Sequence, residues 1–214
     1  MQDLPLLEPG KFFHIYNRGN NGENIFIEER NYHYFLLLYE KYILPVADTF
    51  AFCLLRNHFH LFVRIKTVGE IIKDLDLQGS ENLEGLGLKI PDPTNQFSKL
   101  FNAYAKAINK AYGRTGALFE KRFRRKEVTS PSYFISLIHY IHYNPEKHGF
   151  VNDYRKYPYS SYNIVLSEAT TNLEKVTVLK WFSNKDNFKE YHEKKVNENI
   201  ILEYIEDDID LQGL

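Results

Sequence analysis

Hydrophobic and polar positions in the first 66 residues predict a strand, a helix and two more strands. Residues 11–19 are rich in β-forming side chains and run into a glycine- and asparagine-rich turn. Residues 29–44 place apolar side chains at helical spacing and stop before Pro45. Residues 48–57 and 60–66 are β-rich again, with almost no chain between them. This half of the pattern is therefore strand, helix, strand, strand.

A segment of different character follows. Residues 67–94 hold much of the glycine, and they predict a short helix and then a mobile loop. Residues 95–113 have helical spacing, with Thr94 or Asn95 as the expected N-cap and Gly113 at the end. The second long helix, residues 95–113, therefore comes after a long connection.

The pattern then predicts a strand at residues 117–128 and a third helix directly after it. Ser130 can cap this helix, Pro131 suits its first position, and a stop is expected near Pro145 or Gly149. Two or three further helices are expected beyond about residue 150. The order β-α-β-β-α-β-α is typical of an α+β protein with a ferredoxin-like antiparallel sheet and helices packed on one face.

Two domains are expected, residues 1–163 as the main domain and residues 164–214 as a helical extension with an acidic tail. The formal net charge is -1, but it is unevenly distributed. Residues 95–130 carry nine Lys or Arg and two acids, which gives +7, and residues 201–214 carry five acids and no base. A basic middle segment suits a polyanionic partner, although each run is equally typical of a solvated face.

Composition narrows the class of protein further. One cysteine, Cys53, excludes a disulfide framework within the chain and fits a reducing compartment. No signal peptide and no apolar stretch of membrane-spanning length is visible, so we expect a soluble, cytoplasmic protein without a membrane partner. The 16 tyrosines and 16 phenylalanines suit a core and also a surface on which bases stack.

The candidate chemistry begins with RNHFHLFVRI, residues 56–65. On a strand, His58 and His60 face the same side, while Phe59 points the other way into a core. Neutral imidazoles are common ligands of divalent metals, so the pair could share one ion. Two packed histidines would give the same short pattern, and a metal would need a further ligand from elsewhere.

The third predicted helix supplies that further ligand. Tyr140 and Asn144 are four residues apart and share one helical face. The amide oxygen of Asn144 can bind a cation, and the phenol of Tyr140 can act as a covalent nucleophile. With phosphates held by the basic strand, the set suits cleavage of a phosphodiester bond. A tyrosine that is simply packed remains the alternative.

Five motifs together resemble a known family. In order they are HIYNRGNNGENIF (14–26), RNHFHLFV (56–63), GALFEKRFRRKEV (116–128), YIHYNPEKHGFV (140–151) and YPYSSY (157–162). The set resembles the REP-associated tyrosine transposases, which belong to the single-tyrosine HUH-type insertion-sequence transposases. The resemblance runs over residues 11–163, and it implies that the domain of residues 1–163 is catalytic.

The resemblance implies roles for particular residues. The family's HUH pair falls on His58 and His60, its tyrosine nucleophile on Tyr140, and its additional metal ligand on Asn144. The implied cofactor is Mg²⁺ or Mn²⁺, and the implied partner is single-stranded DNA with a hairpin, a palindromic repeat. The implied activity is cleavage and rejoining through a 5′-phosphotyrosine intermediate, without ATP.

Candidate DNA contacts lie in the basic strand and the first turn: Arg122, Arg124, Arg125, Lys121, Arg18 and Asn17. Arg122 also fits the family's LFxxRF pattern. On a regular strand Arg122 and Arg124 would share a face and Arg125 would point the opposite way. Arg56 and Asn57 abut the histidine pair and could position it. Each of these residues is also compatible with an ordinary solvated or turn position.

Several alternatives stay open. The same fold could serve as a non-catalytic or domesticated module that binds single-stranded nucleic acid. A rolling-circle initiator or relaxase, and a structural metal site, fit the residues less well. Residues 67–94 are longer and more acidic than the family pattern, and residues 164–214 take no part in it. A monomer and a homodimer are equally compatible with the sequence.

Overall fold

One antiparallel sheet forms the centre of the protein, as seen in a computed structural model that describes residues 4–74, 90–120 and 122–194. Its strands are β1 (Phe12–Arg18), β2 (Ala47–Leu54), β3 (His58–Ile65) and β4 (Arg124–Val128). The order across the sheet is β2-β3-β1-β4, and every pairing is antiparallel. The predicted α+β class with a ferredoxin-like sheet is confirmed.

Seven helices accompany the sheet in the described part of the chain. They are α1 (Glu29–Tyr42), α2 (Val68–Asp74), α3 (Pro93–Ala111), α4 (Pro131–Lys147), α5 (Tyr162–Leu166), α6 (Lys175–Trp181) and α7 (Lys185–Glu193). Short 3₁₀ turns lie at Asn20–Gly22 and Tyr154–Lys156. The element order through α4 matches the sequence prediction, with α2 as the expected short helix.

Helix starts follow from their capping side chains. Ser130 caps α4 as predicted, because its hydroxyl accepts a hydrogen bond from the Tyr133 backbone N–H at 3.3 Å. The predicted cap of α3 was wrong: Asp92 fills that position and accepts from the Asn95 N–H at 2.7 Å. Pro93 explains the difference, since proline lacks an N–H and fits the first helical turn.

The sheet is buried on both sides, because side chains alternate between its two faces. One face carries Phe13, Ile15 and Phe59, which pack with Phe35 of α1 and Phe97 of α3 in a single core. This is the helical layer that the ferredoxin-like plan predicts.

The opposite face is covered by α4 and the C-terminal helices. Phe62 of β3 packs here with Ile138 and Ile141 of α4, and Val165 and Phe188 complete the core. The prediction of helices on one face therefore holds for α1 and α3, and it is wrong for α4. The continuous apolar run of β3 is the physical sign of this arrangement, since a strand covered on both faces needs apolar side chains on both.

The basic strand is shorter than predicted. β4 begins only at Arg124, and Phe119 forms an isolated bridge with Gly19. Arg122 precedes the strand and has a positive φ of 57°. The prediction that Arg122 and Arg124 share a strand face was therefore wrong, because Arg122 lies outside the strand at a bend of the chain. Arg124 and Arg125 do point to opposite faces.

Parts of the predicted organisation lie outside the described residues. The structure does not describe residues 75–89 of the segment 67–94, nor Lys121. The acidic tail, residues 201–214, also lies outside the described part of the chain. The described part of the extension is helical. Within the described ranges, no helix is both long enough and apolar enough to cross a bilayer.

Candidate active site

β3 presents two histidine side chains to the α4 side of the sheet. His58 and His60 are both buried, and their ring centroids are 5.2 Å apart with the planes nearly perpendicular. Phe59 points to the opposite face and joins the core with α1 and α3. The structure thus brings the His-x-His pair together on one face, as the spacing predicted.

Helix α4 crosses this face and carries the candidate nucleophile. The ring of Tyr140 lies edge-on to the ring of His60, at a centroid distance of 5.4 Å. One turn later, the amide nitrogen of Asn144 donates to the Tyr140 backbone carbonyl at 3.0 Å. That bond fixes the Asn144 side chain and leaves its Oδ1 for another contact.

Three candidate ligand atoms are buried without a hydrogen-bond partner among the described residues. They are His58 Nε2, His60 Nε2 and Asn144 Oδ1. Buried polar atoms are nearly always satisfied, so three unpartnered atoms on one face indicate a place for a cation or another polar group. The described residues contain no three His, Cys, Asp or Glu side chains that could hold a metal together, so a site here depends on the Asn144 amide. The orphaned atoms fit a divalent ion.

Burial keeps the histidines of this face neutral. It lowers the pKa of His58 to about 3, and His148 and Arg18 lower it further. The Asn144 side chain lies close enough to His58 to raise this pKa, although His58 Nε2 and Asn144 Oδ1 do not meet the geometry of a hydrogen bond. Burial also lowers the pKa of His60 well below its ordinary value, and His14 adds to that effect. Neutral imidazoles keep the lone pair that a metal ligand needs.

Arg18 and Asn17 diverge at the end of β1. Arg18 lies opposite His58 in the sheet register, on the face of the histidine pair, and its Nε donates to Glu120. Asn17 lies opposite Phe59, is buried, and accepts from the Arg18 backbone N–H at 2.9 Å. The structure therefore places Arg18 near the candidate site and Asn17 away from it.

The basic residues of β4 divide in the same way. Arg124 lies opposite Tyr16, on the face of the histidine pair, and its NH2 is 3.9 Å from Glu120. Arg125 lies on the other face, where its guanidinium sits 5.2 Å from the Phe123 ring centroid. Arg124 is thus the strand arginine that shares the face of the candidate site.

Three residues near the site were not predicted to belong to it. His14 Nε2 is 3.0 Å from His60 Nδ1, and the rings of His148 and His58 are 4.8 Å apart. Lys147 holds its ammonium 5.4 Å from the centroid of the Tyr140 ring. Lys147 follows Tyr140 at the i, i+7 spacing, a signal that the sequence did contain. His14 could be assigned to the site only by knowing that β1 pairs with β3.

Comparisons with known proteins bear on the family. No family model matches the chain. A curated protein of Haemophilus influenzae, named provisionally as a REP-associated tyrosine transposase, is 26% identical over 119 residues. This match covers 54% of this chain and 59% of the relative, so the chain spans less than two thirds of that protein.

A solved structure of a REP-associated tyrosine transposase bound to a REP hairpin has the same fold. The TM-score is 0.56 at 14% identity, covering 78% of this chain and 86% of that chain. The chain resembles REP-associated tyrosine transposases. The resemblance predicted from five sequence motifs is thereby confirmed by the curated relative, and the solved structure shows that it extends to the fold.

Proposed function

We propose that this chain is a divalent-metal-dependent endonuclease and strand transferase that acts on single-stranded DNA beside a hairpin. The observation that carries the proposal is the meeting of Tyr140 with the unpartnered ligand atoms of His58, His60 and Asn144 within one chain. The solved relative, described as bound to a REP hairpin, supports the class of substrate.

His58 Nε2, His60 Nε2 and Asn144 Oδ1 would hold the cation, Mg²⁺ or Mn²⁺, because these three buried atoms have no hydrogen-bond partner in the described structure. When bound, such an ion supplies Lewis-acid polarisation of a phosphate oxygen. The three ligands are neutral, so the site adds no negative charge against the approaching DNA backbone.

Tyr140 would supply the nucleophile. Its phenolic oxygen attacks the scissile phosphorus and forms a new P–O bond, while the bond from phosphorus to the 3′-oxygen breaks. The phenolic proton is released and the 3′-oxygen takes up a proton, leaving a 5′-phosphotyrosine and a 3′-hydroxyl. The phosphoester energy is retained, so the reverse displacement by a 3′-hydroxyl rejoins DNA without ATP.

Two cations could assist this step. Lys147 lies 5.4 Å from the Tyr140 ring centroid, where positive charge favours the negative charge that develops on phenol and phosphate. Arg124 projects from β4 on the same face and is suited to hold a neighbouring phosphate. These placements support a phosphate path across the face that carries His58 and His60.

A second candidate function is binding of single-stranded DNA without cleavage. The observation that favours it is the burial of Tyr140, which is only 2% exposed. A nucleophile at this position needs the site to open before a phosphate can reach it. A binding module would need no such opening.

The deciding experiment incubates the protein with labelled single-stranded DNA carrying a library of hairpins, with Mg²⁺ or Mn²⁺, and resolves products on a denaturing gel. A covalent adduct in the wild type, lost in Tyr140→Phe, is expected. Tyr143→Phe, three residues along α4, is the matched control and should retain the adduct. Tight metal-independent binding without any adduct would favour the second candidate, and an adduct in Tyr140→Phe would exclude Tyr140 as nucleophile.

A further inference from the structure

A third histidine, His14, lies beside His60 on the neighbouring strand. It projects from β1 on the same face, its Nε2 is 3.0 Å from His60 Nδ1, and the ring centroids are 5.1 Å apart with planes 20° from parallel. Both side chains are completely buried. In a hydrogen bond between two neutral imidazoles, one nitrogen carries the proton and the other offers a lone pair. The contact therefore ties the tautomer of His60 to that of His14.

Only one of the two arrangements lets His60 bind a cation. If His14 donates, His60 must carry its own proton on Nε2, the atom that has no partner in the described structure. If His60 donates from Nδ1, its Nε2 keeps a lone pair. Metal-bound histidines characteristically donate their second ring N–H to a neighbouring acceptor, and this fixes ring orientation.

Asn57 makes the equivalent contact with the other ligand. His58 Nδ1 is 2.8 Å from Asn57 Oδ1, and a carbonyl oxygen can only accept. His58 is therefore protonated on Nδ1, which leaves a lone pair on Nε2. That Nε2 is likewise buried without a partner among the described residues. The two histidines of the pair thus have the same requirement, met by two different neighbours.

We propose that His14 and Asn57 are positioning residues that hold His60 and His58 as Nδ1-protonated tautomers, with both Nε2 lone pairs available to one cation. The inference rests on the proposed function for the identity of that cation. His14 is fully buried and its Nε2 lies 3.0 Å from His60 Nδ1, so it is placed to accept that proton. An imidazole in this position orients His60 without placing a carboxylate beside the DNA phosphate.

The test compares Mn²⁺ binding by isothermal titration calorimetry in matched variants. His14→Phe keeps a ring for packing and removes the acceptor. His14→Gln restores an acceptor at nearly the position of Nε2. His33→Gln, at an exposed position on α1, is the control. Thermal melts of each variant report whether it is folded.

We expect His14→Phe to weaken Mn²⁺ binding about 10- to 100-fold, the range typical when a residue supporting a metal ligand is lost. His14→Gln should recover most of that loss, and the control should match the wild type. Unchanged affinity in folded His14→Phe, or no recovery in His14→Gln, would overturn the role of His14. Asn57→Leu and Asn57→Asp make the same comparison for His58.

A second readout needs no variant and no activity. In wild-type protein labelled with ¹⁵N-histidine, NMR shifts distinguish a protonated ring nitrogen from a bare one. An Nδ1-protonated His60 supports the inference, and an Nε2-protonated His60 overturns it. If the wild type binds no Mn²⁺, the metal site of the proposed function fails, and this spectrum still decides the tautomer. It also decides the matter if His14→Phe does not fold.

Discussion

Tyr140 and His60 of the same chain are in edge-to-face contact, with 5.4 Å between their ring centroids. His60 contacts both His14 of β1 and Tyr140 of α4, and the ring centroids of His14 and Tyr140 are themselves 6.4 Å apart. The candidate nucleophile therefore needs no second copy of the chain to reach the candidate metal ligands. This arrangement makes the question of subunit exchange experimentally accessible.

Mixed variants should fail to complement each other. Tyr140→Phe has intact histidines and His60→Ala has an intact tyrosine, so a mixture regains activity only if the tyrosine acts on a partner's site. We expect the mixture to form no covalent adduct with hairpin DNA on a denaturing gel. Wild type mixed with either variant is the control, and an adduct from the two inactive variants together would contradict the arrangement within one chain.

Removing the charge of Lys147 should slow adduct formation. Lys147→Met keeps the aliphatic stem and deletes the ammonium that lies 5.4 Å from the Tyr140 ring centroid. Loss of one positioned charge in an active site commonly costs about 10²-fold in rate. Lys147→Arg should retain much of the activity, and Lys156→Met, at an exposed position, is the control. Equal single-turnover rates for Lys147→Met and the wild type would exclude this role.

Ser161 should contribute strongly to stability, because it joins two elements through one hydroxyl. Its Oγ accepts from the Phe52 backbone N–H at 2.9 Å and lies 2.7 Å from His142 Nε2, all within a buried region. Ser161→Ala leaves the Phe52 N–H and His142 Nε2 without their partner, and each buried group left unsatisfied costs about 1–3 kcal/mol of stability. Urea unfolding measures the change. Exposed Ser132→Ala should change stability by less than about 0.5 kcal/mol, and a similar effect of both variants would refute the prediction.

Acid should destabilise the protein through His192. Burial, with a smaller contribution from His139, lowers the pKa of His192 to about 3, against 6.5 for an ordinary histidine. Between these values the unfolded chain takes up a proton that the folded chain refuses. Stability is therefore complete above about pH 6.5 and falls by up to about 1.4 kcal/mol per pH unit below it, for each such histidine.

The variant His192→Gln isolates this contribution. It removes one titrating group, so its unfolding free energy should fall less between pH 7 and pH 5.5 than that of the wild type, by about 1 kcal/mol. Its stability at pH 7 should also be lower, because His192 Nε2 is 2.9 Å from His142 Nδ1. His33→Gln provides the comparison at an exposed position. Identical pH dependence in His192→Gln and the wild type would show that His192 titrates normally in the folded state.

The sequence predicted the parts of the site that depend on local periodicity. His58 and His60 share a face because side chains alternate along a strand, and Tyr140 and Asn144 share a face because they are one helical turn apart. Ser130 was recognised as a cap from equally local information, because it directly precedes Pro131 and a helical pattern. These relationships need only the identity of the element and the spacing within it.

Relationships between elements were harder to predict. His14 joins His60 only because β1 pairs with β3, and nothing in the local pattern of residues 11–19 specifies that partner. Arg122 has a positive φ, which is uncommon for a non-glycine residue and has no signature in the hydrophobic pattern, so periodicity assigned it wrongly to a strand. The face covered by α4 also depends on packing beyond the strand–helix order. Most of the errors were therefore tertiary; the N-cap of α3 was a local exception, and the antiparallel sheet was a tertiary feature that the element order did predict.

Helix α4 makes buried contacts on two of its sides. One side holds Tyr140 and Asn144 against the sheet, and the other holds His142 against His192 of α7. His192 in turn donates from Nδ1 to the Phe188 carbonyl at 2.7 Å, which closes the contact within α7. A truncation after residue 163, at the end of the motif region, would keep every candidate site residue and would remove the α7 contact that supports the helix carrying Tyr140.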